Sequence, residues 1–120
     1  PRKRKATPLS SLRIVEDGAF KGCTVEEDDA NNGSVIALTS RSRRDEHRWG
    51  HSMPSFEYYP SLEILELHKS RYIRTVDDSL TQLKHLKHIT LTRCSRLVSL
   101  PEAIGNLQQL EVVSASGVTV

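Results

Sequence analysis

Apolar residues return every 24 positions in the second half of this chain: Leu62/Leu86/Leu110, Leu65/Ile89/Val113, Leu67/Leu91 and, one step upstream, Leu83/Leu107. A fixed period of this length predicts a stack of small units, each burying its apolar face on its neighbours because one unit alone is too small to hold a core. The unit is clearest as Leu86-x-x-Ile89-x-Leu91-x-x-Cys94-x-x-Leu97-x-x-Leu100-Pro101-x-x-Ile104-x-x-Leu107-x-x-Leu110. The alternation around Ile89 and Leu91 has period two and predicts a short strand with one buried face. The later spacings of three predict a coil or loose helix that brings Leu97, Leu100, Ile104 and Leu107 back to the same interior, with Pro101 and Gly105 shaping the return.

With these residues the chain resembles leucine-rich-repeat proteins, closely over residues 62–117 and loosely over 35–61. The segment Ser99-Leu100-Pro101-Glu102-Ala103-Ile104-Gly105-Asn106-Leu107 looks most like the intracellular repeats of plant disease-resistance proteins and Ras-pathway scaffolds. The resemblance implies an α/β solenoid, a partial horseshoe with a short parallel sheet on its concave face, coil or short helices on its convex face, and a role in binding protein. It also implies that Cys94 turns inward and bonds backbone groups of neighbouring coils, a structural role rather than a reactive one. The preceding unit keeps the register but carries Ser70 in place of Cys94 and Asp77 in place of Pro101, which departs from the subclass pattern and not from the fold.

Upstream the period loosens. Val35-x-x-Leu38-x-Ser40 aligns with Leu62-x-x-Leu65-x-Leu67 at a spacing of 27, and Gly50-x-x-Met53-Pro54 resembles the Gly-x-Ile-Pro segment of plant-type repeats. The expected organisation is a degenerate repeat over 35–61, repeats over 62–85 and 86–109, and a partial repeat over 110–120. Arg41 to Trp49 is too charged for a core and reads as an exposed insertion. Trp49, Phe56, Tyr58 and Tyr59 are expected to cover the open edge of the stack, the other reading being a contact patch. Residues 1–34 run from a basic start, Pro1-Arg-Lys-Arg-Lys5, to the acidic Glu26-Glu27-Asp28-Asp29, with a thin apolar set at Leu9, Leu12, Ile14, Val15 and Phe20. That composition predicts a poorly structured segment. Within it, Gly18-Ala19-Phe20-x-x-Cys23 resembles one copy of another repeat subclass, common in microbial surface proteins. No polar cap is evident at either end, so the chain reads as a fragment of a longer array.

Composition bounds the rest. Hydrophobic content of 37% with 27% charged residues suits a globular chain, and no apolar run approaches the roughly 18 residues of a membrane span. The basic start lacks the apolar stretch of a signal peptide, and two cysteines make no secreted disulfide framework. A cytoplasmic setting is expected, with a nuclear one open because of the basic run; Asn32-Gly33-Ser34 accepts a glycan only in an exported chain. A net charge of +2 is too small to argue for nucleic acid, and only Trp49 sits among the basic residues as a stacking aromatic; a nuclear, nucleic-acid-associated protein acting through the basic Pro1–Lys5 run is the second alternative reading.

Catalytic patterns are missing from the sequence. His47 and His51, and His85 with His88, have no Cys or carboxylate at a metal-ligand spacing; there is no phosphate loop and no nucleophile elbow. Asp77-Asp78 reads as a cap on the return segment rather than an acid–base pair. The chain is therefore expected to be non-catalytic, with no cofactor and no metal. Its chemistry is left to the outward strand positions, which successive units align as columns. These are Thr39, Glu66, Thr90 and Ser114; Arg41, His68, Thr92 and Ser116; Ser42, Lys69 and Arg93; and Ala37, Ile64, His88 and Val112. The candidate protein-binding residues are Glu66, His68, Lys69, His88, Thr90, Thr92, Arg93, Ser114 and Ser116, a modestly basic and hydroxyl-rich face suited to an acidic or phosphorylated protein.

Overall fold

The structure, a computed structural model, describes residues 10–40, 52–70, 73–97 and 99–114. One six-stranded sheet organises them, with strands adjacent in chain order: β1 (Ser10–Ile14), β2 (Thr24–Asp28), β3 (Ser34–Ser40), β4 (Ile64–His68), β5 (His88–Thr92) and β6 (Glu111–Ser114). β3 to β6 are parallel, and β1 and β2 join antiparallel at one side. Short 3-10 turns at Phe56–Tyr58, Asp78–Gln82 and Glu102–Asn106 carry the chain back between the parallel strands. The chain is thus a partial leucine-rich-repeat solenoid, a sheet on one face and 3-10 turns on the other.

The apolar ladder makes this arrangement. Leu38, Leu65, Leu67, Ile89 and Leu91 are buried from the strands; Leu62, Leu86, Ile73, Leu80, Leu97 and Ile104 meet them from the return coils. Leu62, Leu86 and Leu110 each donate a backbone N–H to the carbonyl three residues earlier, so the turn entering each strand repeats every 24 residues. At roughly 1.5–3 kcal/mol for each fully buried Leu or Ile side chain, this ladder supplies the main force holding the coils together. Cys94 is buried, and its Sγ lies 3.5 Å from the Leu67 carbonyl oxygen of the preceding coil. Ser70, at the equivalent position, is buried with its hydroxyl unpartnered among the described residues.

Both of these residues follow a residue in the left-handed region, Lys69 at φ 63° and Arg93 at φ 57°. That turn ends the strand and swings the next side chain inward. Non-glycine residues pay about 1–2 kcal/mol for it, offset here by the Lys69 N–H bonding the Thr92 carbonyl at 2.7 Å. On the convex side, Asp77 caps the turn it precedes, its carboxylate accepting from the Ser79 N–H at 3.0 Å. Ser79 in turn accepts from the Phe56 N–H at 2.8 Å and ties two coils together.

Residues 10–34 depart from the expectation of a poorly structured segment. Their sparse apolar residues are divided between two faces: Val15, Phe20, Cys23 and Val25 are buried, whereas Leu12 and Ile14 point out. Phe20 packs on Phe56 and Tyr59 at centroid distances of 5.9 and 5.2 Å. The antiparallel pair therefore covers the first parallel coil, where no cap was legible in the composition. Asn32 (φ 58°) and Gly33 (φ 74°) form the tight turn into β3, closed by the Gly33 N–H on the Asp28 carbonyl. Of the four aromatics expected to pack, Phe56 is buried and Tyr59 partly so, Tyr58 is 70% exposed, and Trp49 lies outside the described residues, as does the whole Arg41 to Trp49 segment.

Candidate functional site: the concave sheet face

Alternation along the strands decides which side chains reach the concave face. In β4, Leu65 and Leu67 are buried, leaving Ile64, Glu66 and His68 outward; in β5, Ile89 and Leu91 are buried, leaving His88, Thr90 and Thr92 outward. Parallel pairing then sets Ile64 beside His88, Glu66 beside Thr90, and His68 beside Thr92. On the other side of β4, Ala37 and Thr39 stand beside Ile64 and Glu66. Lys69 and Arg93, both exposed, follow the strand ends at equivalent positions.

The last strand corrects two of the expected columns. β6 pairs with β5 as His88 with Glu111, Ile89 with Val112, Thr90 with Val113 and Leu91 with Ser114, one residue short of the 24-residue period. The Thr39, Glu66, Thr90 column therefore ends on Val113, and Ser114 stands at the register position of the inward Leu91. The Ala37, Ile64, His88 column ends on Glu111 instead of Val112, which packs against the core. Backbone bonds mark the entry to each pairing: the Glu63 carbonyl accepts from the Lys87 N–H (2.7 Å) and the His88 N–H (3.1 Å), and the Lys87 carbonyl accepts from the Glu111 N–H (2.8 Å). Ser116 lies outside the described residues, as do Arg41 and Ser42.

With Glu111 in place, the face is more evenly charged than the sequence suggested. His88 Nδ1 lies 3.2 Å from Glu111 Oε1, and His68 Nε2 lies 3.1 Å from Glu66 Oε1 on its own strand. The face thus alternates imidazole–carboxylate pairs with the hydroxyls of Thr39, Thr90 and Thr92, and Lys69 and Arg93 form a cationic rim. Toward β1 it becomes apolar: Leu12 and Ile14 extend the rows that run through Glu26 and Ala37, and through Thr24 and Thr39. Sequence reasoning missed Leu12, Ile14, Glu26 and Glu111. The Leu12-x-Ile14 alternation was a signal, though too short to stand out in a segment without the 24-residue period.

Two groups have shifted acidity, both structural. Burial pushes the Tyr59 phenol up despite the nearby Arg13 cation, so Tyr59 stays protonated at neutral pH. The Ser79 side chain and backbone N–H hold the Asp77 carboxyl below its ordinary range. Among the described residues, no cluster of three or more His, Cys, Asp or Glu is placed to hold a metal ion, and no helix is long and apolar enough to cross a membrane.

No protein-family model matches the chain, and no solved structure matches it. Against curated proteins, it is 34% identical over 76 residues to Disease resistance protein RPP5 of Arabidopsis thaliana. The matched stretch is 63% of this chain but 5% of that relative, so the chain spans a small part of the length of the curated protein it matches. Over that stretch, the chain is similar to a piece of a plant disease-resistance protein.

Proposed function

We propose that this chain is a non-catalytic protein-recognition module that binds its partner on the concave sheet face. The observation that carries the reading is the division of labour along β4 and β5: the inward positions are buried in the core, and the outward ones apart from Ile64 are polar, namely Glu66, His68, His88, Thr90 and Thr92. Hydroxyls and imidazole–carboxylate pairs offer many directional contacts and no dry pocket that would perturb a catalytic group. The Lys69 and Arg93 rim suits an acidic or phosphorylated partner, and Arg93 has the planar fork for bidentate contact with either. Cys23 and Cys94 are buried free thiols, which fits a reducing, intracellular compartment.

A second reading is favoured by the similarity to a disease-resistance protein and by the small share of that relative covered. In it, the same face is the recognition segment of a larger receptor-like protein. Both readings are tested by capturing partners from a lysate of the source organism with the native chain and with a His68→Glu, Lys69→Glu, Arg93→Glu variant. The variant must melt like the native chain. A partner held by the native protein and lost by the folded variant supports concave-face recognition; identical partner profiles overturn it.

A further inference from the structure

The sheet also offers an edge. Among the described residues β1 is the outermost strand, bonded to β2 on one side only. Leu12 and Ile14 are 71% and 63% exposed on its concave side. Natural sheets usually blunt such an edge with an inward charge, a proline or a bulge. β1 has none of these: the bulge near Glu26 distorts the β2–β3 pairing, and the one charge in the strand, Arg13, is held by Glu27 at 3.0 Å. The Ser11 hydroxyl donates to Asp29 at 3.3 Å and helps keep the strand in place. Beside it runs a groove of about 750 Å³, lined by residues 12–17 and Tyr59, with Glu16 and Asp17 at one end.

Charge chooses the occupant. Residues 10–34 carry six carboxylates (Glu16, Asp17, Glu26, Glu27, Asp28, Asp29) against two cations (Arg13, Lys21), a net −4 in a chain whose total is +2. A second copy docking edge to edge would bring two such acidic pairs of strands together, an arrangement that repels at physiological salt. We propose that the β1 edge is a docking site for an extended basic segment of a partner protein. The segment adds as a further strand, its apolar side chains over Leu12 and Ile14 and its cations against Glu16 and Asp17. Backbone pairing supplies affinity and the alternate side chains supply selectivity.

The test is fluorescence anisotropy with a fluorescein-labelled nine-residue peptide that alternates valine and lysine, against the same peptide methylated at every backbone amide. The native chain is expected to bind the first and to lose at least tenfold in affinity for the second. A Leu12→Lys, Ile14→Lys variant loses binding to a similar degree, Glu16→Gln with Asp17→Asn weakens it severalfold, and Lys69→Glu with Arg93→Glu leaves it unchanged. Both lysine sites are exposed, and matching thermal melts verify the fold. No binding by the native chain, or equal binding of the methylated peptide, overturns the proposal. It is equally overturned if sedimentation shows a dimer that Leu12→Lys, Ile14→Lys abolishes, which makes a second copy the occupant. Binding that appears only after removal of residues 1–9 also overturns it, since the chain's own basic run would then be the occupant.

Discussion

Leu91 and Thr90 are neighbours on the central strand β5, and the fold assigns them opposite fates. Leu91 is buried between the coils, while Thr90 faces the concave solvent side. Truncating Leu91 to Ala removes about three carbons from the core, roughly 2.4 kcal/mol at about 0.8 kcal/mol each. The cavity left between stacked coils raises this to about 3–4 kcal/mol, because each coil is held by the next and cannot collapse freely. Thr90→Ala removes a half-exposed hydroxyl and methyl and is expected to cost about 0.5 kcal/mol or less. Against a total stability on the order of 5–15 kcal/mol, only the first change is severe. Urea unfolding followed by circular dichroism measures both, with the slope compared first so that a loss of cooperativity is not mistaken for a loss of stability. A Thr90→Ala cost within about 0.5 kcal/mol of the Leu91→Ala cost would refute the assignment of faces, and with it the concave columns.

Other consequences follow from single positions. Ser70 buries a hydroxyl without a partner among the described residues, so Ser70→Ala should be neutral or stabilising by up to about 1 kcal/mol, whereas Cys94→Ala, which loses the contact to the Leu67 carbonyl, should cost about 1–2 kcal/mol in the same unfolding assay. At φ 57°, Arg93→Val should destabilise by about 1 kcal/mol or more and Arg93→Gly should not; equal melting temperatures would count against the left-handed turn. Asp77→Ala removes the cap and should cost about 0.5–1 kcal/mol at pH 7, the low part of the cap range because the site is half-exposed. Since the folded acidity of Asp77 lies below its ordinary value, the charge-dependent part of this difference is present above about pH 4 and fades as pH falls through the lowered folded value. An unfolding series from pH 7 to 2 in which native and variant curves stay parallel would contradict it.

The fold was legible where the period was strong. The x-Leu-x-Leu alternation and the return spacings of three placed β4, β5 and the convex turns, because each buried side chain there has an equivalent one coil away. β3 was legible too, Leu38 standing beside Leu65 at the spacing of 27. Two things were not. The β1–β2 pair belongs to an antiparallel addition with its own pattern, and Phe20 beside it packs on Phe56 and Tyr59 far along the chain, which no local count reveals. The offset at β6 lies in the backbone pairing and leaves the leucine spacing at Leu110 untouched, so the side-chain period predicted Ser114 and Val112 where Val113 and Glu111 stand. On the face itself, Glu66, His68, His88, Thr90 and Thr92 were placed by alternation alone, while the contact of His88 with Glu111 needed the register.

The concave face is tested most directly by photo-crosslinking from a benzophenone amino acid placed at Thr90, on that face, and separately at Lys84, exposed on a turn between the coils. Each labelled protein is irradiated in source lysate and its adducts are identified by mass spectrometry. The account predicts a discrete protein adduct from Thr90 that unlabelled native chain competes away, and none in common from Lys84. Competed adducts from Lys84 alone would contradict it and move the binding surface off the sheet.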